Sequence, residues 1–72
     1  MEEVYLFQSL KDPNLYLSDI LEGGFPIRTV DKRKAIHYSN EEDAIEGLFI
    51  NEDAFGIEYS KLFDVVRFVK GE

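Results

Sequence analysis

The chain has no cysteine among its 72 residues, which excludes disulfide cross-links and thiolate-bound zinc together. It has a single histidine, His37, so a metal site built from several imidazoles is excluded as well. No stretch approaches the roughly eighteen apolar residues that a membrane helix needs. The start, Met1-Glu2-Glu3 followed by Val4-Tyr5-Leu6-Phe7, lacks both the positive charge and the long apolar run of a secretory signal. The expected location is therefore cytoplasmic, with no membrane contact. Basic residues are scarce too: eight Lys and Arg stand against fifteen Asp and Glu, for a net charge of −7. Proteins that hold nucleic acid neutralise phosphates with clustered cations, so this balance argues against nucleic acid and anionic lipid as partners. It suits plain solubility, a basic protein partner, or imitation of a nucleic-acid surface.

What is present is apolar material. Hydrophobic residues make up 44% of the chain and include six Phe and four Tyr, a composition opposite to that of disordered segments. A folded domain is expected over residues 1–72. One core in so short a chain supplies only about 3–5 kcal/mol of net stability. With disulfides and thiolate metal sites excluded, self-association is the expected supplement.

The local patterns specify an α+β domain. Val4-Tyr5-Leu6-Phe7 is aromatic and β-branched and reads as a strand over about 3–9. Lys11-Asp12-Pro13-Asn14 has turn chemistry, and Leu15-Tyr16-Leu17-Ser18 returns as a strand over about 14–19, closing a hairpin. Gly23-Gly24 specifies a turn, and the segment after it is left unassigned: if Phe25-Pro26-Ile27 is a strand it lies at an edge, because proline donates no ladder hydrogen bond. Ala35 to Tyr38 reads as a short extended piece. Ser39 and Asn40 are good N-caps, Ser39 with Glu42 has the form of a capping box, and Glu41, Glu42 and Asp43 complement the helix dipole. Ala44, Ile45, Leu48 and Phe49 then share one helical face, which predicts a helix over about 40–50. Gly56 reads as a break. Residues 61–70 read as a strand with apolar residues on both faces, so both faces need cover. A single helix cannot supply it, which is a second reason to expect a dimer.

No catalytic constellation can be assembled. His37 is the one candidate base at neutral pH, but Ser9, Ser18, Ser39 and Ser60 lie in no nucleophile-elbow pattern. The carboxylates of Glu41, Glu42, Asp43 and Glu46, and of Glu52 and Asp53, lack calcium-loop spacing. Gly23-Gly24 lacks the strand, spacing and helix of a phosphate-binding turn. Arg28, Lys32, Arg33 and Lys34 form one basic patch, read as an exposed turn. The aromatic residues have no basic groove beside them and are expected in the core or an interface. No cofactor is expected.

The order of hairpin (Val4 to Leu17), capped helix (Asn40 to Phe49) and terminal strand (Leu62 to Val69) resembles the Yopt family of small Bacillus prophage proteins. The resemblance rests on length, composition and element order. It implies one helix, three strands and a homodimer, with no assigned activity. The combined expectation is an antiparallel sheet of about three strands with one helix packed on it, in a non-enzymatic interaction module. Its dimer interface is expected at Phe63, Val65 and Val69, or at their alternates Leu62, Val66 and Phe68, with Tyr5 or Phe7 opposite. A host protein is the expected further partner; imitation of nucleic acid before a basic DNA-binding protein is the alternative.

Overall fold

The computed structural model describes residues 2–70. Four strands, β1 (Glu2–Ser9), β2 (Tyr16–Glu22), β3 (Phe25–Thr29) and β4 (Phe63–Lys70), form one antiparallel sheet in the order β3-β2-β1-β4. A helix, α1 (Glu41–Phe55), and a single turn, α2 (Tyr59–Leu62), precede β4. The α+β class and the packing of one main helix on the sheet agree with the sequence pattern. The sheet has one more strand than about three, because the Phe25-Pro26-Ile27 segment does take its place at an edge.

Strand ends are set by turn chemistry. Ser9 Oγ accepts from the amides of Lys11 and Asp12 at 3.3 and 3.2 Å, and Asp12 Oδ1 accepts from Asn14 N at 3.0 Å. The chain therefore reverses before Tyr16, two residues later than the pattern placed it. Gly23 and Gly24 have φ of 64° and 87°. That pair of positive angles makes a tight two-residue hairpin loop whose twist matches the flanking strands.

β1 and β2 share only the Gln8–Tyr16 pair before they part. The gap between them is filled by the extended piece at Ala35 to Tyr38. Tyr38 exchanges two backbone hydrogen bonds with Tyr5, at 2.8 and 3.0 Å, and Ile36 N donates to Leu17 O at 3.0 Å. Alternation then sends Ala35 to one face of the sheet and Ile36 and Tyr38 to the other. On the first face Ala35 joins Val4, Leu6 and Tyr16, with Val66 and Phe68 against them. On the other, Phe7, Leu17 and Phe63 pack with Ala44, Leu48 and Tyr59 from the helices, and Tyr5, Ile36, Tyr38 and Val65 border them.

Both faces thus receive cover from within the chain, which corrects the expectation that a second copy must supply it. The face away from α1 is roofed by the crossing from Val30 to His37. There the Lys32 ammonium lies 5.5 Å from the Tyr16 ring centre and 5.1 Å from that of Phe68.

α1 starts one residue later than the Ser39–Glu42 pattern implies. Asn40 is the cap: its Oδ1 accepts from Asp43 N at 2.8 Å, and its Nδ2 donates to Asp43 Oδ2 at 3.0 Å. Asn40→Ala should cost about 1 kcal/mol, and Ser39→Ala should cost almost nothing. Urea titration of the two variants checks this; equal losses would contradict it. The helix also runs past residue 50 to Phe55 and ends at Gly56, which has φ of 68°.

The buried stripe of α1 holds Ala44, Gly47 and Leu48, with Asn51 and Phe55 half-buried along it. Ile45 and Phe49, expected on that face, are exposed instead. Gly47 accounts for the rotation. A Cβ built on it would sit 2.9 Å from Tyr38 Cε1 and still closer to the rest of the phenol. The ring fits against α1 only where the helix offers a bare backbone.

Candidate functional site

The residues with chemical potential are scattered, and most are engaged in structural hydrogen bonds. His37 is exposed, and its Nδ1 donates to the Ala35 carbonyl 2.7 Å away. Its neighbours around a small surface hollow are Val4, Lys32, Arg33 and Phe68, a set that includes neither a hydroxyl nor a carboxylate. Ser18 Oγ accepts from Ile20 N at 3.0 Å, Ser9 holds its turn, and Ser60 is bonded to Glu52. Among the described residues no three His, Asp or Glu side chains converge as a metal site requires. No described helix is long and apolar enough to cross a membrane.

Of the four residues read as one basic patch, Arg28 stands apart, whereas Lys32, Arg33 and Lys34 stay together in one 3-10 turn. The Arg28 guanidinium lies 5.2 Å from the Phe63 ring centre on the helix side, whereas Lys32 lies on the opposite face. Arg33 Nε is 3.2 Å from Asp31 Oδ1, and that hydrogen-bonded pairing lowers the Asp31 pKa and raises that of Arg33.

Glu52 has a structural role that its sequence context did not reveal. Its Oε2 accepts from Ser60 N at 2.8 Å and from the Ser60 hydroxyl. It thereby caps α2 from a neighbouring helix, because Glu58 at the α2 N-cap makes no such bond. The Ser60 hydroxyl and then its amide hold the Glu52 pKa below the ordinary carboxylate value. A depressed folded-state pKa means stabilisation that is present above the ordinary carboxylate range and lost as pH falls through the lowered value. NMR titration of the Glu52 carboxyl should give a midpoint below that of a free glutamate, and Ser60→Ala should raise it. An unchanged midpoint in Ser60→Ala would contradict this tie between α1 and α2.

The five residues expected at an interface have different fates. Phe7 is 0% and Phe63 2% exposed, so both are consumed by the chain's own core and cannot meet a partner. Tyr5 and Phe7 do lie opposite β4, but within the chain: Tyr5 pairs with Arg67 and Phe7 with Val65 in the β1–β4 register. β1 is an interior strand, so Tyr5 is not at an edge. Val65 and Val69 are half-buried on β4, an edge strand. Of the alternates, Val66 and Phe68 are half-buried on β4, and Leu62 is exposed in α2.

The two sheet edges differ. β3 has five residues, contains Pro26, and its pairing with β2 shifts register between Leu17 and Leu21; these features discourage further pairing. β4 has eight residues without proline or glycine and pairs with β1 in unbroken register from Glu2–Lys70 to Ser9–Phe63. Its free side presents roughly 26 Å of regular backbone at the rise of a strand. Long, regular edges of this kind are templates for another strand, although β4 also carries Asp64 and Arg67.

A second surface stands out on α1. Ile45, Phe49 and Ile50 are exposed there, and Ile50 also borders an open depression of about 270 Å³ with Tyr38, Asp43, Glu46 and Gly47. Compared with known protein families, characterised proteins and solved structures, the chain matches none of them.

Proposed function

We propose that this protein is a non-catalytic interaction module that works as a homodimer, joined through the free edges of two β4 strands. The observation that supports this reading is the contrast between the two edges: β3 is short and interrupted, and β4 is long and regular. A two-fold axis perpendicular to the sheet would pair β4 with its own copy antiparallel, giving the strand order β3-β2-β1-β4-β4-β1-β2-β3. Both α1 helices would then lie on the same face. Arg67 Nη1 lies 3.4 Å from Glu3 Oε1, so this cation of β4 is partnered within its own chain and adds little repulsion at the joint. The role fits the small prophage accessory proteins that the element order resembles, with a host protein as the further partner. Imitation of nucleic acid is the second reading, favoured by the carboxylates of α1. A complex dissolved by moderate salt supports imitation, and a salt-resistant apolar contact supports the module.

Sedimentation equilibrium tests the dimer. It should detect dimers at micromolar protein, with a melting temperature that rises with concentration. Val69→Lys places a charge on the pairing edge and should yield monomer. A wild-type monomer, or a Val69→Lys variant that stays dimeric, would contradict the β4 joint.

A further inference from the structure

α1 carries six carboxylates, Glu41, Glu42, Asp43, Glu46, Glu52 and Asp53, and no Lys or Arg. Among the described residues none of the six is in an ion pair; the pairs present are Asp31–Arg33, Glu58–Lys61 and Glu3–Arg67. The outer surface of the same helix exposes Ile45 and Phe49, one turn apart and in contact range of each other. Around a helix that advances about 100° per residue, Glu41 and Glu52 fall on one side of this pair. Glu42, Glu46 and Asp53 fall on the other. Exposed apolar groups are thus railed on both sides by carboxylates, with Glu52 also held in its capping bonds to Ser60.

We infer that this face of α1 docks a cationic amphipathic segment of another protein, with apolar residues on the Ile45–Phe49 stripe and Lys or Arg over the flanking carboxylates. The inference gives the interaction-module reading its partner chemistry. Other occupants fail on charge. A second copy of α1 would set six carboxylates against six, and anionic lipid or nucleic acid would meet the same repulsion. A neutral apolar partner would cover the carboxylates without compensating them. Only a segment with both apolar anchors and flanking cations satisfies stripe and rails together. The expected binding mode is that of an amphipathic helix laid on an apolar strip, with charge setting its orientation and on-rate.

The test is a titration of the isotope-labelled full chain with a synthetic amphipathic helix of leucine and lysine, followed by NMR. Amide shifts should centre on α1 around Ile45 and Phe49, with a dissociation constant on the order of micromolar. Phe49→Ser should weaken binding about tenfold, as expected for loss of an aromatic anchor. Leu10→Ser, at a residue exposed elsewhere, should leave binding unchanged, and a leucine–glutamate helix should not bind. Shifts centred away from α1, wild-type affinity in Phe49→Ser, or equal binding of the glutamate helix would each overturn the proposal. Sedimentation of the same samples separates the two readings. A monomer whose α1 takes the peptide overturns the dimer alone, and a dimer whose α1 is unperturbed overturns the docking face alone.

Discussion

Gly47→Ala should destabilise the protein by about 3 kcal/mol, at the upper end of the usual cost of overpacking, although alanine in a helix interior is ordinarily favoured over glycine by about 1 kcal/mol. The sign reverses because the new methyl would occupy the Tyr38 phenol. That ring has little freedom to retreat. Its backbone is bonded twice to Tyr5, and its ring packs on Phe7 with centres 5.5 Å apart. Partial burial of the ring also raises the phenol pKa of Tyr38. A double-mutant cycle in urea isolates the contact. In a Tyr38→Val background, Gly47→Ala should be neutral or slightly stabilising. A Gly47→Ala variant as stable as wild type would show that α1 does not rest on Tyr38.

Phe63→Ala should abolish the fold of the isolated chain. The ring is 2% exposed, packs on Tyr59 with centres 5.9 Å apart, and lies under the Arg28 guanidinium. Truncating such a ring costs about 3–5 kcal/mol, comparable to the whole stability of about 3–5 kcal/mol expected from one small core. Circular dichroism should show loss of the cooperative melt. Phe25→Ala, at a ring 47% exposed and set against Phe55, should keep it. A folded Phe63→Ala variant would place the centre of the core elsewhere.

The difference between Phe63 and Phe49 shows what could and could not be read from the sequence. Turns and caps depend on local chemistry, so the Lys11–Asn14 turn, the Gly23-Gly24 turn and the acidic start of α1 were legible, whereas Phe25-Pro26-Ile27 was not among the three expected strands. The rotation of α1 was not. Ile45, Phe49 and Ile50 compete with Ala44 and Leu48 for the buried face in any periodicity count. The contest is decided by Gly47, whose contribution is the absence of a side chain and carries no hydrophobic signal. The helix extension to Phe55 was hidden by Glu52 and Asp53, which look like a solvated loop until Glu52 is seen capping α2. The wedge at Ala35–Tyr38 was read as extended, but nothing local says that it parts β1 from β2. That wedge and the Lys32 crossing cover the second face of the sheet. Apolar residues on both faces of β4 therefore did not require a partner, and Phe7 and Phe63 turned inward. What the strand pattern could not show is its position at an edge, since a strand has the same alternation with one neighbour or two.

Hydrogen exchange along β4 tests the edge-to-edge dimer most directly. In a monomer every second amide of this strand points away from β1 to solvent, so protection should alternate along Phe63 to Val69. In the proposed dimer the outward amides donate to the second β4. Protection should then be continuous through the strand at micromolar concentrations and above, and should revert to alternation on dilution or in Val69→Lys. Alternating protection that persists at every concentration would contradict the β4 joint.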